Sequence, residues 1–153
     1  MKKLLIVLFA VLMLCGCGTK KTTNDETNTS TENTTPKTEN AVLVCSKSTT
    51  STVTFVTEMS YYYENGKTTK LGVKYVYGLS GYNDAQRKAF AGANLCNEDA
   101  MTNTLGMVDC QESLVGTDYV VSGFSEKLLS QATASLSLTK SSLEAFGWTC
   151  TVQ

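Results

Sequence analysis

Residues 53–79 constrain the fold more than any other part of the chain. Val53, Phe55, Thr57, Met59 and Tyr61 alternate with Thr54, Val56, Glu58, Ser60 and Tyr62, and then Leu71, Val73, Tyr75 and Tyr77 alternate with Lys70, Gly72, Lys74 and Val76. Successive side chains of a strand point to opposite faces, so a period of two predicts two half-buried strands. Glu64-Asn65-Gly66-Lys67 between them is the turn of a hairpin. Asn-Gly alone suggests a two-residue loop, but parity argues against it. A loop of Asn65-Gly66 would pair Met59 with Gly72 and send the two apolar sets to opposite faces. A three-residue loop, Glu64-Asn65-Gly66, pairs Met59 with Leu71, Thr57 with Val73 and Phe55 with Tyr75, which predicts a type I turn with Gly66 left-handed. The opposite face then carries Glu58 near Lys70 and Lys74, together with Tyr62, Val56 and Val76.

The same reading extends over residues 41–153, one domain by length. Residues 42–47 form a shorter strand. Asn83, with Gln86 three residues on, resembles a capping box, and the spacing of Ala89, Phe90, Ala93 and Cys96 predicts a helix over 83–101. Residues 107–113 and 118–124 are a second strand pair with Gly116 in the turn. Ser125 caps a short helix bearing Leu128, Leu129, Ala132 and Leu136. A last helix spans about 140–146, with Gly147 at its C′ position, and 148–151 is a closing strand with Trp148 in the core. The order β-β-β-α-β-β-α-α-β predicts an α+β fold: an antiparallel sheet with helices packed on one face.

Met1-Lys2-Lys3 is followed by an apolar run over 4–14. At about eleven residues the run is too short for a membrane span, which takes roughly twenty, and it has the parts of a secretory signal. It ends in Leu14-Cys15-Gly16-Cys17, which resembles the bacterial lipobox. That resemblance implies cleavage after Gly16 and a diacylglyceryl thioether on Cys17, whose two acyl chains suffice for stable anchoring. Cys15 is a poor acceptor, because bulky Leu14 precedes it. Residues 1–16 are then a signal peptide. Residues 17–40, rich in Thr, Asn, Lys, Glu and Ser, are the lipidated cysteine and a disordered tether that cannot bury enough surface to order itself.

Four cysteines remain in the domain: Cys45, Cys96, Cys110 and Cys150. Outside the cytoplasm an even number reads as a disulfide framework. Of three possible pairings the favoured one is Cys45–Cys150, clasping the ends, with Cys96–Cys110 closing a short loop. A zinc site is the alternative, and it lacks the usual C-x-x-C pair. The domain holds eight Lys or Arg and ten Asp or Glu, an acidic balance that argues against a nucleic-acid surface.

Val42-Leu43-Val44-Cys45, Tyr63-Glu64-Asn65-Gly66-Lys67, Leu95-Cys96, Val108-Asp109-Cys110 and Phe146-Gly147-Trp148-Thr149-Cys150, behind a lipobox and a polar linker, resemble the YehR-like small bacterial lipoproteins. The resemblance covers most of 41–153. It implies a similar α+β fold and brings no activity and no functional residues.

The chain has no histidine, which removes Ser-His-Asp and Cys-His nucleophile systems and imidazole metal sites. Glu98 and Asp99 follow Cys96 and read as a solvated helix end. Asp109 and Glu112 lie three apart in a strand and so on opposite faces, poor geometry for a carboxylate pair. Tyr62, with Val56 and Val76, is the candidate binding face, since aromatics are enriched at interfaces. The expectation is a membrane-anchored extracytoplasmic binding module with an envelope protein or polymer as partner, no cofactor and no enzymatic activity. An envelope carrier of a lipid or cation is the alternative, and an enzyme working through Glu98, Asp99 or Asp109 comes last.

Overall fold

The computed structural model describes residues 40–153. The expectations for the signal peptide, Gly16, Cys17 and the tether fall outside the described residues, which begin at its last residue, Asn40. The elements run β1 Ala41–Thr50, β2 Thr54–Glu64, β3 Lys67–Gly78, α1 Asp84–Ala91, β4 Met107–Val115, β5 Asp118–Ser125, α2 Glu126–Gln131, α3 Leu136–Ala145 and β6 Thr149–Val152. The six strands form one antiparallel sheet in the order β4-β5-β3-β2-β1-β6. This is the α+β architecture expected from the strand and helix periods.

The hairpin shows how local chemistry and burial were reconciled. Asn65 and Gly66 both take positive φ, +52° and +75°, which is a two-residue turn with Glu64 opposite Lys67. The three-residue loop is therefore not formed. Parity is restored instead by a bulge: Tyr63 faces Thr68 and Tyr62 faces Lys70, so Thr69 is the extra residue. Beyond it Met59 pairs with Val73, Thr57 with Tyr75 and Phe55 with Tyr77. The apolar sets share one face as expected, but the register lies two residues from the predicted one.

The buried face carries Leu43, Cys45, Met59, Tyr61, Tyr63, Leu71, Val73, Tyr75, Tyr119 and Val121. The helices supply its cover. Phe90 of α1 lies edge-on to Tyr119 with centroids 5.5 Å apart and 5.4 Å from Tyr77. On α3, Thr139 accepts a hydrogen bond from the Tyr63 hydroxyl, 2.8 Å. The helix ends follow the sequence signals. Asn83 accepts from the Gln86 amide while the Gln86 side chain accepts from the Asn83 amide, 3.0 Å each, a reciprocal cap of about 1 kcal/mol. Ser125 accepts from the Leu128 amide, 3.1 Å. After α3, Gly147 takes φ +78°, and Lys47 donates to the exposed Phe146 carbonyl, 2.7 Å, a cation placed at a helix C-terminus.

Three expectations are corrected. The helix predicted over 83–101 stops at Ala91. Gly92 caps it, Asn94 turns left-handed at φ +52°, and the chain continues through a 3₁₀ turn at Leu95–Asn97 and a π turn at Ala100–Thr104. Leu136 begins α3 rather than closing the preceding helix. Trp148 is half-buried, not core.

Both disulfides of the favoured pairing are formed. Cys45 and Cys150 face each other across β1 and β6, joining residues 105 apart, and Cys96 and Cys110 join residues 14 apart. By chain entropy they contribute at most about 4–5 and about 3 kcal/mol respectively.

Candidate functional site

The sheet face opposite the helices is the surface on which Tyr62, Val56 and Val76 lie. Register arranges this face in rows that cross the strands. Val56, Val76 and Val120 stand directly opposite one another on β2, β3 and β5. The next row holds Glu58, Lys74 and Ser122, with Glu58 and Lys74 3.7 Å apart. That pair is solvent-exposed and contributes about 0–1 kcal/mol. Lys70, expected near Glu58 as well, instead places its ammonium 3.5 Å from the centroid of the Phe124 ring, an attraction to the ring face worth about 0.5–1 kcal/mol. The Phe124 edge covers Gly72, 3.8 Å from where a Cβ would stand.

Tyr62 pairs with Lys70 on one side and Val42 on the other and is 36% exposed. Six residues separate it from Val56, roughly 20 Å along an extended strand. The structure therefore places the three predicted residues on one face but divides them. One patch is the valine row, and the other is Tyr62 with Lys70, Phe124 and Val108, the last 38% exposed. Val120, Phe124 and Val108 were missed by sequence reasoning, which placed Lys70 on this face but beside Glu58 and not over Phe124. Alternation within β5 would have found the first two, but only the observed strand order brings them beside Val76 and Gly72.

Beside Tyr62 the surface dips into a groove of about 350 Å³, open to solvent. Asn40, Glu64, Asn65 and Gln153 give it a polar wall, and Val42 and Tyr62 an apolar one. It lies where the chain enters β1, next to the hairpin turn.

The carboxylates do not converge into a site. Glu98 and Asp99 are exposed, and Asp99 accepts a hydrogen bond from the Asn103 side chain. Asp109 is exposed at φ +52° in a bulge of β4, where the pairing shifts between Val108 and Gln111. That bulge turns Glu112 toward the helix side, where its carboxylate accepts from the Cys96 amide, 3.1 Å. Near it lies Tyr119, 1% exposed, whose hydroxyl has no hydrogen-bond partner among the described residues. Burial first, and then the Glu112 carboxylate, push the Tyr119 pKa well above the ordinary tyrosine value. Among the described residues no group of three or more Cys, Asp or Glu side chains could hold a metal ion, and no helix is long and apolar enough to cross a membrane.

Comparison with family models, with curated proteins and with solved structures finds no match to this chain.

Proposed function

We propose that this chain is a lipid-anchored extracytoplasmic lipoprotein of the YehR-like type, and that its domain is a binding module for an envelope protein. The lipobox supports the anchor, with Cys17 as the acceptor after cleavage at Gly16. The observation that carries the binding reading is the sheet face that no described helix covers. Among the described residues the helices pack on the other side, which leaves the valine row and the Tyr62–Lys70–Phe124 patch on the helix-free face around a charged row. Apolar and aromatic groups bounded by polar ones are the composition of a protein–protein interface. The groove beside Tyr62 suits a lipid cargo poorly, since lipid and drug-sized ligands take enclosed, mostly apolar pockets, and this one is open with a wall of Asn, Glu and Gln.

Crosslinking intact cells that carry the tagged full-length protein tests the proposal, with Cys17→Ser and Tyr62→Ala as controls. A protein enriched only with the anchored chain and lost in Tyr62→Ala is the expected outcome. An envelope polymer in place of a protein would overturn the choice of partner. Release of both the native chain and Cys17→Ser into the soluble fraction would overturn the anchor.

A further inference from the structure

The two disulfides occupy very different surroundings. Cys45 and Cys150 are 0% and 7% exposed, on the buried face of the sheet, where they join β1 to the edge strand β6. Cys96 and Cys110 are only half-buried, at the opposite edge strand, β4. Access governs thiol–disulfide exchange, so the two bonds differ in the one property that decides which is reached by a reductant.

What the edge disulfide holds is also distinctive. Residues 92–106 form a run of short turns laid against β4. The far end of this run is pinned independently. Met101 and Leu105 are 4% and 3% exposed, the Leu105 carbonyl accepts from the Ser125 hydroxyl, and the Gly106 carbonyl accepts from the Glu126 amide. The near end, residues 92–98, has no fully buried side chain. It is tied to β4 by Cys96–Cys110 and by the Cys96 amide on the Glu112 carboxylate. The same carboxylate neighbours the buried Tyr119 hydroxyl.

From these contrasts we infer that Cys96–Cys110 is a redox latch, opened by a dithiol reductant while the Cys45–Cys150 clasp stays closed. One thiolate of the dithiol attacks a sulfur of the edge disulfide, and the other sulfur leaves as a thiolate. The second thiol of the reductant then resolves the mixed disulfide. Two electrons pass to the protein, the dithiol is oxidised to a disulfide, and its two protons end on Cys96 and Cys110. Residues 92–98 then keep the Cys96 amide on Glu112 as their one hydrogen bond to β4, and they swing away from the strand, opening the Tyr119 hydroxyl to water. The inference does not depend on the anchor or on the partner.

The test is graded reduction of the full chain with dithiothreitol, followed by alkylation and peptide mass spectrometry, with amide hydrogen exchange on the same samples. Cys96 and Cys110 are expected to label together at dithiothreitol about tenfold or more below that needed for Cys45 and Cys150. Exchange should rise in 92–98 and β4 and stay unchanged in β1, β2 and β3. Cys96→Ser/Cys110→Ser should show the same exchange pattern without reductant. Simultaneous labelling of all four cysteines, or earlier labelling of Cys45 and Cys150, overturns the inference. Labelling of Cys96 and Cys110 with no rise in exchange overturns it too, since the bond would then be a staple and not a latch.

Discussion

At the scale of single residues, the tightest constraint sits at Gly123 on β5. It pairs with Val73, and the bulge of β4 folds over its other side. A Cβ there would stand 2.9 Å from both the Met107 Cε and the Val108 carbonyl oxygen and 3.2 Å from the Cys110 Cα. A methionine tip can move. A backbone carbonyl in a bulge tied by a disulfide cannot move cheaply. Gly123→Ala is therefore expected to destabilise the fold by about 1–3 kcal/mol through overpacking. Gly81 has nothing within 4 Å of its Cβ direction and no positive φ, so Gly81→Ala should stay within about 0.5 kcal/mol of the native chain. Denaturant titration of the two variants decides it, and equal stabilities would refute the steric account. In the sequence Gly123 is one more small residue in a strand, because the close approach of Val108 and Cys110 depends on a bulge in which Asp109 takes positive φ. A non-glycine residue in the left-handed region leaves no compositional mark, so neither the bulge nor the turn of Glu112 toward Tyr119 could be read beforehand.

At the scale of elements, the β2–β3 hairpin shows two rules acting at once. Asn65-Gly66 has the chemistry of a two-residue turn, and the core demands that Met59, Tyr61, Leu71 and Val73 share a face. Parity fixes the faces but not the loop, because a bulge can absorb one residue as readily as a longer turn can. Thr69 is that residue, exposed, with its hydroxyl on the Tyr62 carbonyl, 3.3 Å. Deleting Thr69 should leave Glu64 opposite Lys67 and Met59 opposite Val73, giving a regular hairpin whose melting temperature falls by only a few degrees, about 1 kcal/mol for a domain of this size. Deleting Lys74 instead would reverse the facing of every later residue in β3, and that chain should not fold. A folded Lys74 deletion, or an unfolded Thr69 deletion, would contradict this assignment of the extra residue. Elements marked by strong local signals, such as the Asn83–Gln86 cap, the Gly116 turn and the Gly147 stop, were legible. The helix beyond Ala91 was not. Its apolar stripe through Ala93 and Cys96 continued at helical spacing, but Gly92 and left-handed Asn94 broke the backbone, and Cys96 was drawn to Cys110 at the sheet edge.

At the scale of the described domain, the helices pack on one face of the sheet and gather several aromatic side chains, buried or half-buried, into one layer beneath them. Phe55, Tyr75, Tyr77, Phe90 and Tyr119 form a connected cluster with centroids 4.9–6.1 Å apart. That arrangement gives the fold a definite response to alkaline pH. Burial, with the neighbouring Tyr63 hydroxyl adding to it, pushes the Tyr61 pKa up to about 12 from the ordinary value of 10, and burial alone pushes Tyr77 up to about 12. Tyr75 is raised further by burial and then by Tyr77. Below pH 10 these hydroxyls are protonated in both folded and unfolded chains, and the stability linked to them is fully present. Above pH 10 the unfolded chain releases these protons and the folded one retains them, so the unfolded state binds fewer protons and stability falls as pH rises toward 12. Melting temperatures measured from pH 8 to 12 should be nearly level at first and then drop steeply. Lysines also titrate in that range, so the comparison that isolates the tyrosines is Tyr61→Phe/Tyr77→Phe. Removing both hydroxyls keeps the ring packing and should make the alkaline limb shallower, with the raised Tyr75 and Tyr119 still contributing, while leaving the plateau near its native value. An alkaline limb of unchanged steepness in that variant would mean that burial of Tyr61 and Tyr77 does not contribute to the high-pH loss of stability.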